Sequence, residues 1–155
     1  MIFPDPGDFT DAALSAIAPR CADCGGPSSI AQVEIIYPQR PDLWVREDGS
    51  RPWFWLCSSC WSYCGAHRHT LKPFGTPAGP ETRRARSAAH AAFDPLWQKR
   101  QRLSGLSKHH ARGKGYKWLA AQLGIEPKAC HIGDMDAATA RRVVEVCQRA
   151  RARQD

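Results

Sequence analysis

The sequence predicts an α+β fold, a small cysteine-pinned β module followed by a bundle of three to four helices. Three observations carry that prediction. Two C-x-x-C pairs stand at Cys21–Cys24 and Cys57–Cys60. Between them, residues 25–56 alternate β-branched and aromatic runs with Pro and Gly turns, the pattern of short strands. From Glu81 onward, apolar residues recur three and four apart, the spacing of amphipathic helices.

Taken in order, residues 1–20 form an N-terminal arm and a short helix. Pro4 and Pro6 keep residues 1–8 extended, and Asp8 or Thr10 caps a helix that stops before Pro19. Residues 21–70 are the β module. Gly25-Gly26-Pro27 turns the chain out of the first cysteine pair. Ile30–Tyr37 reads as a first strand, Leu43–Arg46 as a second and Trp53–Leu56 as a third, with Glu47-Asp48-Gly49-Ser50 as the hairpin turn. A sheet this small needs Trp53, Phe54 and Trp55 as its core rather than as stacking platforms. Pro73, Gly75, Pro77, Gly79 and Pro80 make residues 60–79 loop-like, a linker towards the helices.

Residues 81–152 form a basic helical region, expected to pack on the β module as one compact domain. Ala85, Ala88, Ala89, Ala92 and Phe93 share one face of the first helix, and Arg83, Arg86, His90 and Asp94 another. Asp94-Pro95 predicts a stop and restart, with a new helix running through Trp97 to Leu103. A third helix is predicted from about Lys114 to Leu123, with Tyr116, Leu119, Ala120 and Leu123 inward and Gly124 as C-cap. The last spans about Ala137–Ala150 behind Asp136, packing Ala140, Val143, Val144 and Cys147.

Each C-x-x-C closes a tight loop with both sulfurs on one side, so two such loops supply four thiolates at the corners of a tetrahedron. Zn²⁺ takes that geometry in closed structural sites. Knuckle, strands, knuckle is a zinc-ribbon-like arrangement, and it assigns Zn²⁺ to Cys21, Cys24, Cys57 and Cys60. Disulfides or incidental thiols are the alternative; the paired spacing favours the metal. Cys64, His67 and His69 then fall outside the coordination shell, because two pairs already close a tetrahedron.

Composition narrows the rest. A hydrophobic fraction of 43% is that of a globular chain. The acidic, proline-broken N-terminus is unlike a signal peptide, and no stretch reads as a membrane span. Seven cysteines, an odd number with four in metal-like pairs, point to a reducing cytoplasm. The net charge of +7 is lopsided: residues 1–80 carry six Lys/Arg against eight Asp/Glu, residues 81–155 sixteen against seven. A half at −2 beside a half at +9 argues for a polyanionic partner, with DNA favoured over RNA. The candidate phosphate contacts are Arg83, Arg84, Arg86, Lys99, Arg100, Arg102, Lys108, Arg112, Lys114 and Lys117. His109 and His110, read in a basic loop, fit phosphate contact or plain solvated surface equally.

Weak catalytic candidates are His67, His90 and Asp94. His90 and Asp94 stand four apart on a helix, close enough for a carboxylate to orient an imidazole. No two-carboxylate or ββα-metal signature surrounds them, so a structural pair is the favoured reading. His131, in a turn before the last helix, reads as a buried turn-fixing residue, and Cys147 as a buried small hydrophobe.

A set of spaced residues carries a resemblance: Cys57-x2-Cys60, Gly65-x-His67, Pro73-Phe-Gly75, Arg83-x2-Arg86-x2-Ala-His90-x2-Phe93-Asp94-Pro-Leu-Trp97, Tyr116-x-Trp118-Leu-Ala and Cys130-His-Ile-Gly133. Together they resemble a zinc-finger-containing domain family of unknown function, found in phage, prophage and bacterial proteins. The resemblance covers roughly Cys21–Cys147. It implies zinc on the four knuckle cysteines and no established activity. The expectation is thus a zinc-binding, nucleic-acid-binding phage or prophage accessory protein in the bacterial cytoplasm, without catalysis of its own. The alternatives are a protein-binding inhibitor of a host defence component and a metal-dependent nuclease.

Overall fold

The structure, a computed structural model, describes residues 2–154, which divide into two compact units on either side of the Gly79–Pro80 boundary. The boundary coincides with the change of charge sign in the sequence.

In the first unit, Pro6–Asp8 forms a 3₁₀ turn capped by Asp5, where an extended arm was expected. Helix α1 (Asp11–Ile17) follows, with the Thr10 side chain accepting from the Ala13 amide. Three antiparallel strands, β1 (Ser28–Gln32), β2 (Trp53–Cys57) and β3 (Tyr63–Gly65), form a sheet in the order β1-β2-β3. Ser28 pairs with Cys57, which sets the start of β1 beside the end of β2. Both knuckles therefore emerge at the same end of the sheet.

The strand predicted over Ile30–Tyr37 is half right. It pairs only as far as Gln32 opposite Trp53. The next partner in register would be Pro52, which has no N–H to give the ladder. The chain turns instead into a single-turn helix, α2 (Val33–Ile36), with Val33 fully buried. The strand predicted at Leu43–Arg46 is absent. β1 and β3 already occupy both edges of β2, and Pro41–Leu43 forms a 3₁₀ turn that leaves the Trp44 indole donating to the Tyr37 carbonyl.

Residues 60–79 are not a linker. They supply β3, bridges joining Tyr63 to Ala78 and Ala66 to Pro73, and the Leu71 carbonyl that accepts from the Trp55 indole at 2.9 Å. Trp55 and Leu71 are each 1% exposed and form the centre of this small core. On the other face of β2, Phe54 meets Tyr37 and Tyr63 edge to face.

The second unit is a three-helix bundle: α3 (Pro80–Ser104), α4 (Lys108–Leu123) and α5 (Ala137–Ala152). Its core joins Ala89, Phe93 and Trp97 of α3, Leu119, Ala120 and Leu123 of α4, Ile132 and Met135 of the connection, and Ala140, Val143, Val146 and Cys147 of α5. Val146, not Val144, completes the inner face of α5. Burial of the Cys147 thiol pushes its pKa up to about 11.

Helix α3 does not break at Pro95. Phe93 and Trp97, four apart, are both buried, and that packing outweighs the loss of one ladder bond. Side-chain bonds flank the proline: the Trp97 indole donates to Asp94 Oδ1 at 3.0 Å, and Arg151 reaches from α5 to the Ala92 carbonyl at 2.8 Å. Helix α4 begins six residues earlier than predicted, because Ser107 caps it by accepting from the His110 amide. Gly115 is what lets α4 approach α3: a Cβ there would stand 2.9 Å from Trp97 Cβ. Gly124, at φ 69°, closes the helix as expected.

Candidate metal centre

The two knuckles have the same backbone. In the first, the Gly25 amide donates to the Cys21 carbonyl and the Cys21 amide to the Gly26 carbonyl, at 2.9 and 3.0 Å. In the second, the Trp61 amide donates to Cys57 and the Cys57 amide to Ser62, at 3.0 and 2.8 Å. The fourth residue after each leading cysteine is left-handed: Gly25 at φ 72° and Trp61 at φ 62°. Glycine suits that position; Trp61 holds it at a steric cost, with its side chain 66% exposed.

These turns bring the sulfurs of Cys21, Cys24, Cys57 and Cys60 within 4.8 Å of one another. Cys21 to Cys60 is 3.6 Å and Cys24 to Cys57 is 3.5 Å. No disulfide fits, since a sulfur–sulfur bond is about 2.05 Å. A tetrahedron of Zn–S bonds of about 2.3 Å has edges of about 3.8 Å, so spacing and donor type both suit zinc. Cys21 and Cys57 are buried while Cys24 and Cys60 lie at the surface, which makes a site with one face to solvent.

Neighbouring groups hold the sulfurs. The Gly26 amide donates to Cys24 Sγ at 3.4 Å, and Cys60 Sγ lies 3.1 Å from Ser62 Oγ. The Asp23 carboxylate, between the first two cysteines, accepts from the Gly79 amide at 2.6 Å and faces Ser62 Oγ at 3.4 Å. The Ala22 amide donates to the Pro77 carbonyl. Residues 77–79 thus strap the first knuckle in place, a role with no signal in the sequence beyond the position of Asp23 inside the C-x-x-C.

The electrostatics of four close thiols are telling. The Ser62 hydroxyl and amide pull Cys60 down to about 6. The Gly26 amide also pulls Cys24 down, yet the sulfurs of Cys57 and Cys60 outweigh it and Cys24 is pushed up to about 12. Four thiolates repel one another unless a cation sits among them, and the charge of a divalent metal offsets that repulsion so that every ligand can ionise.

Cys64 stands apart from the cluster, with its Sγ 3.6 Å from the Gly75 carbonyl. His67 is exposed, its ring 4.2 Å from Phe74, and His69 stacks on Phe3. His90 Nδ1 lies 3.4 Å from Asp94 Oδ2, so the predicted pair exists. Among the described residues, the four cysteines are the only group of three or more Cys, His or carboxylate donors able to hold a metal. His131 is not buried as expected: its side chain is 42% exposed, paired with Asp134 at 3.4 Å and stacked on Tyr116.

The candidate phosphate contacts fall on two helices. Arg84, Lys99, Arg100 and Arg102 of α3 and Lys108, Lys114 and Lys117 of α4 are exposed, whereas Arg83 and Arg112 are half-buried. Arg86 is a correction. It is only 9% exposed, and its Nε donates to the Met135 carbonyl at 2.7 Å, so it is a core residue unavailable to phosphate. His109 and His110 lie in the first turn of α4 rather than in a loop.

A β module closed by a four-cysteine metal site, continued by a helical bundle, defines a zinc-finger type of protein. The chain belongs to the family described as a zinc-finger-containing domain, which it matches over residues 17–150. No curated protein and no solved structure gives a match. No helix among the described residues is long and apolar enough to cross a membrane.

Proposed function

We propose that this chain is a zinc-stabilised nucleic-acid-binding protein without catalysis of its own, its metal held by Cys21, Cys24, Cys57 and Cys60. The observation that carries the nucleic-acid reading is the segregation of charge. Sixteen Lys/Arg against seven Asp/Glu fall in the helical unit, and exposed cations stand on all three of its helices, those of α3 and α4 including Arg84, Lys99, Arg100, Arg102, Lys108, Lys114 and Lys117. Such contacts position a protein on a phosphate backbone without specifying sequence. Zinc serves here as the fold's anchor, since a site that forms only on folding returns its binding energy as stability. The family resemblance supports a phage or prophage accessory role. The nuclease alternative draws less support, because among the described residues His90 and Asp94 belong to no metal-holding group.

One observation favours a protein partner as the second reading. The first unit has a groove of about 430 Å³ in which Tyr37, Leu43, Val45 and Phe54 stand with the charged Asp42, Arg46 and Glu47, and Val45 is 54% exposed. The deciding experiment titrates the zinc-loaded protein against duplex DNA, single-stranded DNA and RNA at several salt concentrations. Affinity whose logarithm falls linearly with the logarithm of salt is the expected result. Binding to none of the three at low salt would reject the nucleic-acid reading and leave the groove and a protein partner.

A further inference from the structure

We propose that the N-terminal half of α4, Lys108–Lys117, is the segment that enters the major groove of duplex DNA. This rests on the nucleic-acid reading above and assigns it a helix and a class of target.

Charge is the first argument. Residues 95–125 contain seven Lys/Arg and no Asp or Glu. Four of the seven, Lys108, Arg112, Lys114 and Lys117, fall within ten residues of α4, together with His109 and His110. The cations of α5 are largely committed: Arg141 pairs with Glu81, Arg142 donates to the Leu123 carbonyl, and Arg151 to that of Ala92. Lys108, Lys114 and Lys117 have no such partner among the described residues. Arg112 lies over the Tyr116 ring at 5.5 Å. An acid-free helix face with uncommitted ammonium groups complements a polyanion and repels no part of it.

Gly113 is the second and independent argument. It sits mid-helix, exposed, and a Cβ placed there would meet nothing within 4 Å. Glycine weakens a helix interior, so a glycine needs a reason. Gly115 has one in Trp97 and Phe93; Gly113 has none inside the fold. It leaves bare backbone between His109 and His110, one turn before, and Lys117, one turn after. A sugar-phosphate strand can approach the helix closely at that spot.

Size and connection agree. An α-helix with its side chains is about 10–12 Å across, which the B-form major groove, about 12 Å wide, admits. The deep, narrow groove of duplex RNA does not. Helices α3 and α4 are joined by Gly105-Leu106-Ser107, with Gly105 at φ 67° and Ser107 as cap. Short glycine turns of this kind join the helix pairs in which the second helix presents its N-terminal residues to the groove.

The test measures fluorescence anisotropy of labelled duplex DNA, duplex RNA and single-stranded DNA with the zinc-loaded full chain. The variants are Lys114→Gln/Lys117→Gln, Gly113→Gln, and Arg84→Gln/Arg102→Gln on α3. The wild type should prefer duplex DNA over duplex RNA by tenfold or more. The α4 lysine pair should flatten the salt slope by about two, at roughly 0.9 per phosphate contact. Gly113→Gln should raise the thermal midpoint while weakening duplex binding several-fold, a combination that mere helix damage does not produce. Equal affinity for duplex RNA, or α4 variants that bind like the wild type while the α3 pair does not, would overturn the assignment and leave the nucleic-acid reading standing. A wild type that binds no nucleic acid would overturn both.

Discussion

Arg86 and Trp61 show how one residue's environment overrides its type. An arginine in a basic run reads as a phosphate contact, yet Arg86 is buried against the Met135 carbonyl. Its loss should act on folding rather than binding. Arg86→Ala leaves a buried carbonyl unpaired, and the expected destabilisation is about 1–3 kcal/mol. Exposed Arg84→Ala should change stability little; chemical denaturation of the two variants side by side checks the contrast. Trp61 runs the other way, since a left-handed conformation costs a side-chain-bearing residue roughly 1–2 kcal/mol. Because its ring is two-thirds exposed, little burial is lost on removing it. Trp61→Gly should keep zinc and raise stability, by somewhat less than that cost because glycine loses about 0.5–1 kcal/mol more to backbone entropy. A lower thermal midpoint would show that the ring packs where the fold needs it.

Elements were legible where a local signal and the tertiary context agreed. The paired cysteines, the strand at Trp53–Leu56, the Gly124 stop and the Asp136 start all carry such signals. The errors have tertiary causes. Pro52 ends the β1 ladder from the opposite strand, both edges of β2 are taken before Leu43–Arg46 can pair, and buried Phe93 and Trp97 carry α3 through Pro95. In α4, the basic run at His109-His110 was read as a loop, whereas Ser107 caps the helix ahead of it. At the metal centre the four ligands were readable, whereas the link from Asp23 to Ser62 and to the strap at residues 77–79 was not, because it acts across long sequence separations. The cap of α5 gives a test at this scale. The Asp136 carboxylate accepts from the Thr139 amide at 2.7 Å, and that bond, with the Thr139 side chain, holds its pKa below the usual range. A depressed folded value means the contribution is complete above the unfolded pKa of about 4 and is lost as pH falls through the folded one. Asp136→Ala should cost about 1 kcal/mol at neutral pH. Asp136→Asn should retain most of the cap, and its difference from the wild type should vanish in acid. A wild-type-minus-Asn difference that grew as pH fell would contradict this assignment.

At the scale of the molecule, the two units differ in what holds them. The helical unit has a continuous apolar core drawn from three helices and their connection. The first unit has a short three-stranded sheet around Trp55 and Leu71, and its knuckles end in four thiols that repel one another once ionised. A core this small supplies only a few kcal/mol, and natural mini-domains make up the difference with a metal. Chelation of the full chain should therefore strike one unit. With the ligands free, the knuckles lose their anchor, Trp55 becomes accessible, and near-ultraviolet dichroism should collapse. Far-ultraviolet helicity should fall little, because α3, α4 and α5 hold most of the helical residues. Acid should act the same way, since each ligand must be deprotonated to bind and protons compete with the metal as pH falls. Cys57→Ser should reproduce the chelated state at neutral pH. Cys64→Ser should not, because Cys64 lies outside the cluster. The readings are bound zinc, indole fluorescence and helicity on the same samples. If helicity and indole signal were lost together at one chelator concentration, the helical unit would depend on the metal as well. If neither changed when the zinc was gone, the first unit would stand on its packing alone.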